Sequence, residues 1–264
     1  MPLELKATFN AAAERYHERR PSYPDALFEK LIADAQLSES SQLLEIGPGT
    51  GQATKPLAER GFAVTAIELG NELADKAREV LANFLNVHVI TNAYEDVKLP
   101  KSYFDLVYSA TAFHWIRPEV KFVKTHDLLK PDGYLALIHT EHVSDESEDA
   151  FFFASKPIYE KYTAHDHPVN KDDDFRLPHI KDLHPPEGVD KSLFSLESFT
   201  VFPLIISYTS EEYIGLLATY SPHLALPAAK QKAFLASIKS LIDTDFGGYM
   251  EKHYGMTLTM AKRK

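Results

Sequence analysis

A glycine-rich segment that follows a short apolar run is the most informative chemical feature of the sequence. Gly47, Gly49 and Gly51 lie in the stretch LLEIGPGTG at 43–51. Glycines at the start of a helix let the backbone approach a ligand closely. The GxGxG spacing differs from the GxGxxG dinucleotide fingerprint, and no Gly-Lys-Ser/Thr follows as in a phosphate-binding loop. The segment therefore predicts a ligand-binding loop that belongs to neither of those types.

A carboxylate stands at the end of the next apolar run, roughly twenty positions after the loop. Glu68 closes the stretch AVTAIE at 63–68. A carboxylate at this place can accept hydrogen bonds from both hydroxyls of a ribose, and its charge disfavours a ribose 2′-phosphate. A tight turn beside a surface glutamate is the alternative without a function. The loop and Glu68 together favour a nucleoside-binding site.

Short apolar runs alternate with helical patterns in the first half of the chain. This alternation predicts βαβ units and a parallel sheet covered by helices on both faces. Ligands bind such sheets beyond the carboxyl ends of the strands, so the segments after residues 46, 68, 91, 108 and 140 should converge on one crevice. The predicted strands are 42–46, 62–68, 87–91, 104–108 and 134–140, and the predicted helices are 24–32, 52–60, 71–84 (capped by Asn71) and 118–129, with a turn at 130–133.

The second half is less regular. We predict a helix at 143–165, a polar loop at 166–192, helices at 210–220 and 227–243, and a closing strand at 254–261. Pro203 interrupts the apolar stretch at 198–208. Proline within a strand indicates an edge strand or a bulge.

Three features of the sequence resemble the class I S-adenosylmethionine-dependent methyltransferases: the EIGPGTG loop, the acidic end of the second strand and FDLVYSATAFHWI at 104–116. ERYHERRPSYP at 14–24, AFHWI at 112–116 and LLATYSPHLALP at 216–227 resemble the small-molecule branch that includes trans-aconitate methyltransferase-like proteins. The resemblance implies a Rossmann-like, doubly wound α/β fold with seven strands, mostly parallel, with the last strand antiparallel and a helical cap. It divides one domain into a cofactor-binding core with an N-terminal lid segment at 1–141, a cap and substrate region at 142–250 and a closing strand at 251–264.

The same resemblance implies that S-adenosyl-L-methionine is the cofactor. Glu68 would accept its ribose hydroxyls and Leu69 would pack on adenine, while Arg20 would bind the methionine carboxylate in a bidentate manner. The alternative for Arg20 is an exposed surface cation. The implied cofactor-binding residues are Tyr16, Arg20, Glu45, Gly47, Pro48, Gly49, Gly51, Glu68, Leu69, Asn92, Ala93, Tyr94 and Ser109.

His114 is the candidate catalytic residue. Methyl transfer is an in-line displacement, so the donor and the nucleophile must be held ~3–3.5 Å apart with water excluded. A carboxylate acceptor needs no base, whereas a hydroxyl or an amine must lose a proton. His114 would remove that proton or orient the acceptor; the alternative is core packing of the aromatic residues around it. We expect Trp115, His139, Thr219 and Tyr220 to line the substrate pocket, and one of His139, Glu141 and His142 to reach the acceptor.

Composition, charge and hydropathy argue against several classes of protein. The chain has 264 residues, no cysteine and a net charge of -10, which is compatible with a reducing, cytoplasmic environment and disfavours a non-specific grip on nucleic acid or anionic lipid. No stretch reaches the ~20 apolar residues of a membrane helix, and the first residues do not form a secretory signal. The histidine-containing segments, 139–142 and 165–167, lack the spacing of a metal site, so we expect no metal.

We therefore expect a small-molecule substrate and a monomer or homodimer. Arg117 follows the His-Trp pair where many relatives have an acidic residue, which leaves room for an anionic substrate. Two other functions stay open: a non-catalytic nucleotide- or cofactor-binding protein, and an NAD-dependent dehydrogenase. The GxGxG spacing disfavours the dehydrogenase.

Overall fold

The computed structural model describes residues 20–144, 150–163 and 177–264. The predicted cofactor contact of Tyr16 and the polar segment around His165 and His167 lie outside the described residues.

A single sheet forms the framework of the described chain. Its order is β3-β2-β1-β4-β5-β7-β6, and β7 runs antiparallel to both of its neighbours while the strands from β3 to β5 are parallel. The strands are β1 (Gln42–Ile46), β2 (Ala63–Glu68), β3 (Val87–Thr91), β4 (Phe104–Ala110), β5 (Leu129–His142), β6 (Phe194–Thr209) and β7 (Tyr249–Arg263). This confirms the predicted Rossmann-like fold with seven strands and an antiparallel last strand.

Helices cover both faces of this sheet. They are α1 (Asp25–Asp34), α2 (Thr54–Glu59), α3 (Asn71–Val80), α4 (Pro118–Leu128), α5 (Ala150–Thr163), α6 (Ser210–Leu217), α7 (Ser221–Leu224) and α8 (Ala228–Asp245), with 3-10 turns at Phe113–Trp115 and Ile180–Asp182.

Successive residues of the central strands pack into different cores. Leu43 and Leu106 belong to the apolar cluster that includes α1, whereas Leu44 and Val107 belong to the cluster that includes α4. Adjacent strand residues point to opposite faces, so a continuous apolar run is needed when both faces are covered. This is why LLEI and DLVY could be recognised as strands of a doubly covered sheet.

A third apolar cluster joins the last strand to the helices of the second half. Tyr213 of α6, Phe234 of α8 and Tyr254 of β7 lie in it, each at most 3% exposed. The cluster fixes α6 and α8 beside the carboxyl end of β5, which pairs with β7 through His142 and Tyr254.

Several boundaries differ from the sequence-based expectation. The helix predicted to reach residue 84 ends at Val80, and its N-cap is Gly70, with no side-chain capping bond, rather than Asn71. The turn expected at 130–133 lies within β5, where the pairing with β4 shifts register and Asp132 has a φ of 66°. The prediction for Pro203 is confirmed, because β6 is an edge strand of the described sheet, where a proline is tolerated.

Candidate functional site

A cavity of about 580 Å³ opens at the carboxyl ends of the parallel strands. Each of the strands β1 to β5 contributes residues at or near its carboxyl end to the cavity wall. Examples are Gly47, Glu68, Asn92, Thr111 and His139. The volume lies in the range of small-molecule sites, about 300–1,000 Å³. The five strand ends therefore meet at one crevice, as the alternation of strands and helices predicted.

The glycine loop contributes Gly47 and Gly49 to the cavity wall, and position 47 has no room for a side chain. Gly47 has a φ of +70°, and its N–H donates to the carbonyl of Ile67 on the neighbouring strand at 2.9 Å. A Cβ at position 47 would lie only 2.4 Å from the Cβ of Ala112. Glycine is thus required here both by backbone conformation and by the close approach of the segment after β4.

Glu68 is held directly by the glycine loop. Its Oε2 accepts from the Gly49 N–H at 3.0 Å and its Oε1 accepts from the Gly70 N–H at 2.8 Å. Burial raises the pKa of Glu68, while the two backbone hydrogen bonds favour its ionised form. The loop and the acidic end of β2, separated in sequence, are therefore one structural unit on the cavity wall.

Glu45 lies beneath the loop and does not line the cavity. It is fully buried, and its Oε2 accepts from the hydroxyls of Thr54 and Tyr108, while its Oε1 has no hydrogen-bond partner within the described part of the chain. Burial raises the pKa of Glu45 to about 7. The group is thus a buried acid that titrates near neutral pH.

This titration predicts a pH-dependent stability that Glu45→Gln removes. A raised pKa in the folded state stabilises the fold below the ordinary value of 4.5, and this contribution is lost as the pH rises through about 7. The loss is on the order of 3 kcal/mol, since one pKa unit is about 1.4 kcal/mol. Urea unfolding is measured at pH 5, 6, 7 and 8. Over this range the unfolding free energy of wild type should fall by about 3 kcal/mol relative to that of Glu45→Gln.

The comparison of the two proteins is needed because histidines act in the opposite direction. Burial lowers the pKa of His139 and His223, so these groups stabilise the fold as the pH rises. They are present in both proteins and cancel in the difference. A difference in unfolding free energy that stays constant from pH 5 to 8 would contradict the buried titration.

The residues predicted to border adenine also line the cavity. Leu69, Asn92, Ala93 and Tyr94 all contribute to its wall, and the Tyr94 hydroxyl is 2.9 Å from Oγ1 of Thr125. Lys124 of α4 secures this segment from below: its Nζ donates to the carbonyls of Tyr94 and Val97, each at 2.6 Å. Sequence reasoning missed Lys124, because a lysine on a helix carries no local signal of such a bond.

His114 and Trp115 face the cavity from the 3-10 turn after β4. Their ring centroids are 4.8 Å apart. Although part of the imidazole is exposed, partial loss of water lowers the pKa of His114, and the charges of His139 and Lys121 lower it further. His139 also lines the cavity, and burial lowers its pKa. The lowered pKa values therefore favour the neutral form of both His114 and His139 at neutral pH.

Arg20 is held by two residues of the segment that follows α6. Its guanidinium lies 4.2 Å from the ring centroid of Tyr220, its Nε donates to Oγ1 of Thr219 at 3.1 Å and its Nη2 donates to the Thr219 carbonyl at 3.2 Å. Arg20 and Tyr220 line the cavity, whereas Thr219 is fully buried behind them. Arg20 is therefore a cavity residue and not an isolated surface cation.

Some predicted site residues lie behind the cavity wall. Ser109 is buried and its Oγ donates to the carbonyl of Ile46 at 2.8 Å, and a Cβ at Gly51 would meet Leu81 at 2.9 Å. Arg117 does not line the cavity; it pairs with the lining residue Glu95 and with Glu119. The predicted residues that do not line the cavity are Glu45, Pro48, Gly51, Ser109 and Thr219.

Other lining residues had no signal in the sequence. Tyr23 precedes α1, Gln52 follows the glycine loop and Tyr254 belongs to β7, and all three line the cavity. Within the described ranges, no group of three or more histidine, cysteine or acidic side chains is arranged to hold a metal ion. Among the helices of those ranges, none is long and apolar enough to cross a membrane.

Comparisons with known proteins agree with this geometry. Residues 44–137 match the family described as a methyltransferase domain. An uncharacterised methyltransferase of Mycobacterium tuberculosis is 30% identical over 135 residues, which cover 51% of this chain and 53% of that protein. An uncharacterised methyltransferase of Geobacillus is 30% identical over 149 residues, which cover 53% of this chain and 69% of that protein.

A solved structure extends the similarity in fold to most of the chain. A candidate type II methyltransferase from Anaeromyxobacter dehalogenans has a TM-score of 0.60 and 22% identity, over 92% of this chain and 96% of that one. The chain spans about half the length of the first curated relatives that it matches. The family match at 44–137 runs from β1 into β5, and so contains the glycine loop, Glu68 and His114.

Proposed function

Because this chain belongs to the class I methyltransferases, we propose that it uses S-adenosylmethionine to methylate a small molecule, at a carboxylate or hydroxyl oxygen. The contact between Gly49 and Glu68 carries the proposal. It brings the backbone of two loop glycines, Gly47 and Gly49, and the buried carboxylate together at a cavity large enough for a nucleoside. The residues present therefore fit the cofactor.

The cavity offers a distinct environment to each part of this cofactor. The Glu68 carboxylate would accept the ribose hydroxyls, and Leu69 and the 92–94 segment would border adenine. Arg20 would bind the methionine carboxylate, since charge-assisted hydrogen bonds from a guanidinium suit a carboxylate. The backbone at Gly47 and Gly49 would lie along the methionine part. Tyr16, Glu45, Pro48, Gly51 and Ser109 remain predictions, the last four as supports behind the wall.

The acceptor would lie between the strand ends and the second-half helices. His114, Trp115, His139 and Tyr220 border this part of the cavity. When bound, S-adenosylmethionine supplies a methyl group activated by a sulfonium. The protein's task is to align the acceptor in line with that group, exclude water and remove a proton where the acceptor carries one. We assign the proton transfer to His114 and the cap over the acceptor to residues 142–250.

Two other functions are distinguishable by ligand binding. A dehydrogenase with this sheet would bind NADH in preference to S-adenosylhomocysteine, and a thermal-shift comparison of the two ligands separates the cases. A non-catalytic cofactor-binding protein would bind S-adenosylhomocysteine without methylating any member of a broad panel of acids, alcohols and amines. The neutral His114 at the cavity favours the enzyme.

Glu68 supplies the direct test of the cofactor site. Replacing it with alanine should weaken S-adenosylhomocysteine binding at least tenfold, which corresponds to about 1.4 kcal/mol. Glu68→Gln should lie between wild type and alanine, because the amide keeps the shape and loses the charge. Isothermal titration calorimetry measures the affinities, with Glu79→Ala, an exposed glutamate of α3 outside the cavity, as the control.

The pH dependence of the same binding identifies Glu68 independently. Its pKa is raised, so the carboxylate gains a proton as the pH falls toward that pKa and the ribose loses its acceptor. Affinity should therefore decline on acidification in wild type and be flatter in Glu68→Gln. An unchanged affinity of Glu68→Ala at pH 7.5 would remove Glu68 from the site.

A further inference from the structure

The proposed reaction gives no chemical role to Glu45, a fully buried acid behind the cavity wall. It directly precedes Ile46 and Gly47, both of which line the cavity. Its Oε2 accepts from Thr54 and Tyr108, whereas its Oε1 is buried with no hydrogen-bond partner among the described residues. An ionised carboxylate is costly to bury when one of its oxygens has no partner. The ionised form of Glu45 therefore needs a stabilising charge.

Two strands and one helix surround the Glu45 carboxylate. Thr54 of α2 and Tyr108 of β4 donate to it, and the negative charge of Glu68 on β2 raises its pKa. Within the part of the chain that the structure describes, no lysine, arginine or histidine pairs with it. Opposite charges attract more strongly in the protein interior than in water. A cation that enters the neighbouring cavity would therefore favour the ionised form of Glu45.

The cofactor before and after methyl transfer differs in the charge on its sulfur. S-adenosylmethionine carries a positive sulfonium, whereas S-adenosylhomocysteine carries a neutral thioether. On the proposed function, the ribose lies at Glu68, the methionine carboxylate lies at Arg20 and the sulfur lies between them, along Gly47 and Gly49. Glu45 lies beneath these two glycines, so its charge acts on the part of the cofactor that changes.

We propose that ionised Glu45 is the counter-charge of the sulfonium and makes the site bind S-adenosylmethionine more tightly than S-adenosylhomocysteine. The proposal rests on the proposed function and adds a residue that distinguishes substrate from product. In the transfer, the carbon–sulfur bond breaks with its electrons remaining on sulfur, so the positive charge leaves the sulfur and the attraction to Glu45 ends. The product then leaves the site more readily than the substrate.

The first measurement compares the two ligands in wild type and Glu45→Gln at pH 8, where Glu45 is mostly ionised. Glutamine keeps the shape and an oxygen that accepts from Thr54 and Tyr108, but it carries no charge. Isothermal titration calorimetry should show S-adenosylmethionine binding weakened at least fivefold and S-adenosylhomocysteine binding changed less than twofold. A ratio of the two affinities like that of wild type would overturn the proposal.

The second measurement follows the ratio of the two affinities from pH 6 to pH 8. Titration of the ligands, of Glu68 and of the lining histidines is common to both proteins. Dividing the wild-type ratio by the Glu45→Gln ratio therefore isolates the effect of Glu45. Because Glu45 ionises at about pH 7, this quotient should rise at least threefold as the pH increases. A constant quotient would overturn the proposal.

Tyr108→Phe tests the assignment without removing the carboxylate. The Tyr108 hydroxyl donates to Glu45 at 2.8 Å and lowers its pKa. Without this bond, the rise in the affinity ratio should move to higher pH. A rise that stays at the wild-type pH would show that another group titrates, and so would contradict the role of Glu45.

Glu59→Gln is the matched control. It removes an exposed carboxylate from the end of α2 that pairs with Lys55, and it should leave the affinity ratio like that of wild type. Melting temperatures show whether each variant is folded. If wild type binds neither ligand, the proposed function fails. If wild type binds both and the ratio does not respond to Glu45, the proposed function stands and the role of Glu45 fails.

Discussion

Alanine at position 47 should reduce S-adenosylhomocysteine affinity at least a hundredfold, about 2.7 kcal/mol or more. The new Cβ would lie 2.4 Å from the Cβ of Ala112, a distance that real Cβ contacts do not reach. Neither atom is at the end of a flexible side chain, so the loop itself must move. The φ of +70° at Gly47 adds strain for any other residue. Because Gly49 of the same loop donates to Glu68, a displaced loop also misplaces the carboxylate.

A substitution at a second glycine serves as a control that separates the effect of backbone strain from the effect of the clash at the cavity wall. Gly61 has a φ of +87°, but a Cβ there would meet no atom within 4 Å. Gly61→Ala should therefore cost about 1 kcal/mol of stability while binding the ligand like wild type. Both variants carry the strain of a positive φ, whereas the clash with Ala112 occurs in Gly47→Ala and not in Gly61→Ala.

The contact partner provides a rescue for the same prediction. Ala112→Gly removes the atom that the new Cβ meets, so Gly47→Ala combined with Ala112→Gly should recover part of the lost affinity. Calorimetry and a thermal melt of the single and double variants test this. Near-wild-type affinity of Gly47→Ala would mean that the loop does not form part of the binding site.

The sheet core and the loop–carboxylate pair could be predicted from sequence because each has a local signal. The runs 42–46 and 87–91 are apolar, short and bounded by turn residues, and β1 and β3 begin and end at those positions. The rules for βαβ units predicted that the segments after the parallel strands converge on one crevice, so the meeting of Gly49 and Glu68 was foreseeable without knowledge of either residue's contacts.

The rest of the site depends on contacts between distant parts of the chain. Arg20 bonds to Thr219 across 199 positions, and Tyr254 reaches the cavity because β7 inserts between β5 and β6. No periodicity or spacing reports such a contact. The same holds for β6, whose polar and proline-containing sequence suggested a shorter strand, although pairing along β7 extends it to Phe194–Thr209. Tertiary pairing overrides local propensity in this half of the molecule.

Replacing His114 with alanine should lower kcat by roughly 10²- to 10⁴-fold, the usual contribution of a positioned general base. The cofactor part of the cavity stays intact, so S-adenosylhomocysteine affinity should change less than twofold. Turnover is measured with whichever alcohol or amine of the acceptor panel is methylated. His88→Ala, on the exposed side of β3 and away from the cavity lining, serves as the matched control with unchanged kcat.

The pH profile distinguishes a base from a packing residue at position 114. A base acts when neutral, and the pKa of His114 is lowered by partial burial and by the charges of His139 and Lys121. Activity of the wild type should therefore persist below the ordinary imidazole value of 6.5 and then fall as the pH drops through the lowered pKa. In His114→Ala the residual activity should lack this acid limb. If the variant keeps the limb, or loses only cofactor affinity, the proton transfer belongs to another group and His114 packs against Trp115 instead.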